Sequence, residues 1–196
     1  MTLDKDNLSR LYTDQHAVKE RYMHTCQQWE WGKNAEYFFP WQDQKLVSLS
    51  NIIEELAPSS VLDYGCGQGY ATDKLIQQFP QINFYNYDPF VEKYSVYPTT
   101  PCELVVSNNA LHHVETRFYD QVVENLYHLS NKTALIKLYV INGHRSTEWY
   151  VDQFSKLFTV KNVIESTPLA NDPDKVLFLY GVESDKKTPL YLHLLK

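Results

Sequence analysis

Three glycines at alternate positions, Gly65, Gly67 and Gly69, follow a short apolar run that ends in a carboxylate, Ser60-Val61-Leu62-Asp63-Tyr64. Glycine adopts positive φ at little cost and leaves room for a ligand against the main chain. The chain holds six glycines in 196 residues, so half of them stand within five positions. This is the signature of a ligand-binding turn. A dinucleotide fingerprint would need glycine where Tyr70 stands, because its third glycine allows close helix–strand packing. A P-loop is excluded, since no Gly-Lys-Ser/Thr follows. Further chemistry-bearing residues close later apolar runs: Asp88-Pro89, then Ser107-Asn108-Asn109-Ala110-Leu111-His112-His113, then Gly143-His144-Arg145. Cys66, set among the glycines, reads as a small close-packed residue rather than a nucleophile. Neighbouring histidines on a helix diverge, so His112 and His113 are not expected to share a metal. No zinc pattern can be built from Cys26, Cys66 and Cys102, and no metal is expected.

The elements that must position these residues alternate along the chain. Gln44 to Leu56 reads as an amphipathic helix, with Leu46, Leu49, Ile53 and Leu56 at helical spacing. Strands are expected over residues 61–64, 82–87, 103–107, 133–140, 158–164 and 176–182. Helices are expected over residues 70–79, 115–129 and 146–157. Such alternation predicts an α/β, doubly wound, Rossmann-like sheet, mostly parallel. Asn171-Asp172-Pro173-Asp174 is too short for a crossover helix, so the last two strands should pair as an antiparallel hairpin. The carboxyl edge of such a sheet is where substrates lie, which puts His144 and Arg145 near an acceptor. Residues 1–45 are helical in tendency and rich in aromatics, from Trp29 to Trp41, and form an extension or lid. Residues 46–196 form the main domain.

Composition bounds the function. With 43% hydrophobic residues, nine Phe and fifteen Tyr, the chain can build a packed core. No apolar run approaches about 18 residues, so no membrane span is expected. The polar opening Met1-Thr2-Leu3-Asp4-Lys5-Asp6 is not a signal peptide, and three widely spaced cysteines suit a reducing cytoplasm. A net charge of −6 disfavours unaided nucleic-acid binding, which usually needs a basic face.

The spacing Asp63-x-Gly65-x-Gly67-x-Gly69 resembles the first motif of class I S-adenosylmethionine-dependent methyltransferases. Asp88, nineteen residues beyond Gly69, falls where that family places an acid on the ribose hydroxyls, and Leu111-His112-His113 resembles its Leu-x-His segment. The likeness runs over roughly residues 45–182, and the short form with Tyr-Asp-Pro also resembles small phage and bacterial members of unassigned substrate.

The resemblance implies methyl transfer from S-adenosylmethionine, with S-adenosylhomocysteine as product, to an O, N or C nucleophile. The cofactor carries an ammonium, a carboxylate and a sulfonium, and no phosphate. An acid at the strand end suits the cationic end, and bare main-chain N–H groups suit the carboxylate. The implied cofactor-binding residues are Asp63, Tyr64, Gly65, Cys66, Gly67, Gly69, Asp88, Pro89, Asn108 and Asn109. His112 and His144 are the candidates on the catalytic side.

Two features depart from the family. Fourteen residues separate Asp88 from Glu103, too few for the usual helix and third strand, and no acid stands ready for the adenine amino group. Adenine would then fall to main-chain groups near Ser95-Val96-Tyr97 or to Asn108. Pro101-Cys102 precedes its strand, unlike the nucleophilic cysteine of cytosine-C5 enzymes. Asn108-Asn109 lacks the prolines of the amino-directed DNA enzymes. A small metabolite, nucleotide or sugar is the expected acceptor. A nucleic-acid methyltransferase, tRNA included, and a non-catalytic partner-binding or cofactor-sensing protein are the alternatives.

Overall fold

The computed structural model describes residues 36–42, 45–141, 145–165, 176–177, 183–184 and 187–196. His144 and most of the N-terminal extension lie outside them. The described chain opens on an antiparallel hairpin of β1 (Phe38–Trp41) and β2 (Lys45–Ser48), which runs directly into helix α1 (Leu49–Leu56). The sequence reading had helix here. Pro40 has no N–H to give a helix, and Ser48 accepts from the Asn51 N–H at 3.4 Å, which fixes the helix start at Leu49.

The alternation then unfolds as expected. Strand β3 (Ser60–Tyr64) leads through the glycine turn into α2 (Tyr70–Gln78), followed by β4 (Asn83–Tyr87), β5 (Cys102–Asn108) and α3 (Tyr119–Leu129). Next come β6 (Ser130–Ile141), α4 (Thr147–Ser155) and β7 (Thr159–Glu165). The short strands β8 (Val176–Leu177) and β9 (Glu183–Ser184) pair with each other, and β10 (Lys187–Leu195) closes the chain.

Six strands form one sheet in the order β4-β3-β5-β6-β10-β7. The first four are parallel, and β10 is antiparallel to both of its neighbours. The fold is thus the α/β, mostly parallel, Rossmann-like sheet with one antiparallel C-terminal strand. The expected partner of β7 was the run at 176–182; the structure puts β10 there instead. Residues 88–101 hold only a short 3-10 turn at Glu92–Tyr94, which confirms the shortened third unit.

Both faces of the sheet are covered. Leu62, Val105, Ile136 and Leu192 pack on Val122, Leu126 and Phe154 from α3 and α4. Val61, Leu104, Val106 and Leu135 pack on Ile52, Ile53 and Leu75 from α1 and α2, with Phe39 and Trp41 from β1. These layers align the carboxyl ends of β3, β5 and β6, where the chemistry-bearing residues collect.

Candidate functional site

The glycine turn has the backbone its sequence implied: φ is +83° at Gly65, +56° at Gly67 and +78° at Gly69. Two of these glycines also serve packing. A Cβ on Gly65 would meet the Ala110 Cβ at 2.3 Å, and one on Gly69 would meet the Tyr94 hydroxyl at 2.6 Å. The turn is therefore pressed between the segment after β5 and the shortened loop after β4.

Its main-chain N–H groups are less bare than the sequence suggested. Gly65 and Cys66 both donate to the Tyr87 carbonyl, at 2.7 and 3.2 Å. Gly67 donates to Asp88 Oδ2 at 2.9 Å, and Gly69 to the Cys66 carbonyl at 3.0 Å. Helix α2 has no side-chain cap, so its first N–H groups are the donors left for an anionic group.

Asp88, 3% exposed, also accepts from the Phe90 N–H at 3.0 Å through Oδ1. The sequence reading expects it on a ligand; the structure shows it clamping the turn to the Asp88-Pro89 loop.

Asp63 is the centre of the site. It is 3% exposed, and its Oδ1 meets no hydrogen-bond partner. Oδ2 faces the Thr72 hydroxyl at 3.4 Å and the Tyr37 hydroxyl at 3.5 Å. Burial pushes its carboxyl up to about 7; the Thr72 and Tyr37 hydroxyls pull it back, and Asp88 adds to the rise. Burial likewise holds the Cys66 thiol far above its ordinary value, with Asp63 and Asp88 adding to it, so Cys66 is no nucleophile at neutral pH. The Tyr37 hydroxyl is raised too, by burial and then by Asp63. Every shifted group at this tip is thus disfavoured as an anion. A cation placed against Asp63 would relieve that penalty.

The remaining predicted residues divide. Asn108 ends β5 beside this cluster, where its side chain acts on the Tyr37 hydroxyl. Asn109 takes a left-handed φ of +58°, donates its N–H to the Lys137 carbonyl at 2.9 Å, and buries an unpartnered Oδ1. Strain of this kind in a residue other than glycine is typical of functional positions. Tyr64 points into the core, where it receives Asn125 Nδ2 at 3.4 Å and tilts against Tyr87, so only its main chain borders the turn.

His112 is buried on the 3-10 turn Leu111–His113. The histidine rings do not diverge: their centroids lie 4.0 Å apart, and His112 meets Tyr139 edge-on at 5.1 Å. No cluster able to hold a metal occurs among the described residues. Burial lowers His113 to about 4, so it is neutral at physiological pH. Arg145 turns inward rather than toward an acceptor. It donates to the Val114 carbonyl and is ringed by Tyr119, Trp149 and Tyr150 at 5.1 to 5.9 Å. Sequence reasoning missed Tyr37 and Thr72 altogether. Thr72 had a signal, being on the first turn of the helix after the glycines; Tyr37 had none beyond its aromatic neighbourhood.

Residues 27–159 match the family described as methyltransferase domain. No curated protein matches the chain. Among solved structures, magnesium protoporphyrin IX methyltransferase of Synechocystis PCC 6803 is similar with a TM-score of 0.51 and 12% identity, covering 76% of either chain. The 1,6-didemethyltoxoflavin-N1-methyltransferase of Burkholderia thailandensis gives 0.50 and 15%, covering 75% of this chain and 76% of that one. A candidate O-methyltransferase from Nostoc punctiforme PCC 73102 gives 0.49 and 13%, and the chain spans 54% of its length. At these identities the likeness is one of fold.

Proposed function

The chain belongs to the methyltransferase-domain family, and from that premise we propose that it moves the methyl group of S-adenosylmethionine to a small-molecule acceptor, leaving S-adenosylhomocysteine. The observation that carries this reading is Asp63: a buried carboxyl with one unpartnered oxygen, beside a second acid, at the mouth of a glycine turn. That is the acceptor set an ammonium fits. When bound, the cofactor supplies an electrophilic methyl on a sulfonium that is already a good leaving group.

The chain's own residues bind and orient. Asp63 holds the ammonium. Gly65, Cys66, Gly67 and Gly69, with the main chain of Tyr64, form the floor, and the first N–H groups of α2 meet the carboxylate. Asp88 and Pro89 border the ribose, and Asn108 and Asn109 form the far wall. His112 stands on the acceptor side as the group to take a proton where the acceptor must lose one. His144 is a second candidate there. The main contribution is proximity and alignment rather than strong acid–base chemistry. The acidic balance supports a small acceptor, and the two solved structures with TM-scores of 0.50 and 0.51 act on small molecules. The three widely spaced cysteines support a cytoplasmic location. No described helix is long and apolar enough to cross a membrane.

Calorimetric titration with S-adenosylhomocysteine tests the reading. The wild-type chain should bind, and Asp88→Ala should bind at least roughly tenfold more weakly, because it loses a charged acceptor. Unchanged affinity in that variant would remove Asp88 from the site. One observation favours a second reading, a non-catalytic partner-binding protein: the turn satisfies four of its own N–H groups, and among the described residues no strand lies beyond β4. Absence of any binding by the wild type would select it.

A further inference from the structure

Tyr37 lies just before β1, far in sequence from the glycine turn, yet its hydroxyl stands 3.5 Å from Asp63 Oδ2. The same hydroxyl is acted on by Asn108 and Cys66, so it bridges the tips of β3 and β5. Its place is fixed from behind. The Tyr37 carbonyl accepts from the Leu49 N–H at 2.7 Å, its ring meets Phe39 edge-on at 6.3 Å, and Phe39 is fully buried against the sheet.

The competing donor to Asp63 is already engaged. Thr72 lies 3.4 Å from Asp63 but 2.6 Å from Asn86 Oδ1, and a hydroxyl has one proton to give. The shorter contact takes it. That leaves the Tyr37 hydroxyl to donate to Asp63 Oδ2, while Oδ1 is buried and unpartnered.

We infer that Tyr37 is a positioning residue for the cofactor: it holds one oxygen of Asp63 so that the other faces the ammonium end, and thereby ties cofactor binding to the seating of the β1–β2 hairpin. The inference rests on the cofactor reading above. Because the phenol stays protonated well beyond neutral pH, it acts as a fixed donor and not as a base.

The test compares two probes on the full chain: S-adenosylhomocysteine, and 5′-methylthioadenosine, which lacks the amino-acid end. Tyr37→Phe should weaken the first by about tenfold and leave the second unchanged, since a hydrogen bond to a charged group is lost at one end only. The pH at which S-adenosylhomocysteine affinity is half-maximal should also move up, because the hydroxyl favours ionised Asp63. In an Asp63→Asn background the Tyr37→Phe change should have no further effect. Equal weakening of both probes means the hairpin merely shapes the pocket, and overturns the inference. So does S-adenosylhomocysteine affinity unchanged within about twofold, a shift too small for a lost charged hydrogen bond. A wild-type chain that binds neither probe overturns the cofactor reading and this inference together.

Discussion

Two buried ionisable groups, Asp63 at the tip of β3 and His193 in β10, are both shifted toward their neutral forms, and for the same first reason. Burial pushes the Asp63 carboxyl up to about 7 and the His193 imidazole down to about 4, with Lys161 adding to the second. Each leaves buried polar atoms without a partner: Oδ1 on Asp63, both ring nitrogens on His193. Their surroundings differ. Asp63 is at a strand end with hydroxyls on one oxygen and a second acid near, so an incoming cation can discharge the penalty. His193 is roofed by Trp41, stacked at 4.9 Å and 20°, under the β1–β2 hairpin. Both are buried, but one orphan lies at the carboxyl edge of the sheet beside the glycine turn and the other under a structural wall. Burial alone does not make a site; a buried group at the carboxyl edge of the sheet, beside a ligand-binding turn, is a candidate for one.

The largest effect expected is from Gly65→Ala, which strikes the turn that follows Asp63. The added methyl meets Ala110 at 2.3 Å, and φ of +83° is unfavourable for alanine. Strain and overpacking together should cost about 3 kcal/mol in urea denaturation, and remove cofactor binding with it. A loss below about 1 kcal/mol would mean that the segment after β5 yields freely, and that the turn is not the rigid half of the comparison.

The next effect is a pH dependence that the two groups give opposite signs. The Asp63 carboxyl has a folded pKa of about 7 against 3.8 for the unreacted group, so the empty fold binds that proton more tightly than the unfolded chain does. Its contribution therefore favours folding below pH 4 and is lost as pH rises from 4 to 7. A bound ammonium selects the ionised form and reverses the preference. S-adenosylhomocysteine affinity should then rise with pH up to 7, approaching tenfold per unit, and level off above it. Titration in two buffers of different ionisation heat should show a proton released on binding below pH 7. A flat profile would place the cation elsewhere.

The site was legible where spacing encodes geometry, and dark where it does not. Glycines at 65, 67 and 69 and the acid at 88 are local signals, since turn and strand end are set by near neighbours. The strand at β10 was missed because Pro189 argues against a central strand, while the apolar run from Val176 reads as a better one. Pro189 nonetheless sits opposite Tyr139 in the sheet. The hairpin at Phe38–Trp41 was hidden in an aromatic stretch with no clean period of two. Tyr37 was unreadable in principle. It is one of fifteen tyrosines, and nothing local ties it to Asp63, which only the packing of Phe39 on the sheet brings near.

The smallest effect belongs to His193→Leu, and it bears on the comparison most directly. The imidazole is neutral when folded and titrates near 6.5 when unfolded, so its stabilisation is complete above pH 6.5 and is lost as pH falls toward 4. Leucine removes both orphaned nitrogens and the stack on Trp41 at once, so stability at pH 7 should change by less than about 1 kcal/mol. The acid limb between pH 6.5 and 4 should become shallower, with His113, also lowered to about 4, still adding to it and Asp63 opposing it. S-adenosylhomocysteine affinity should not move, because the wall over β10 is distinct from the tip of β3. Should His193→Leu weaken that affinity as much as Tyr37→Phe does, the hairpin would be transmitting a change from one region to the other. The orphan under the hairpin would then be part of the same device as the one at the turn.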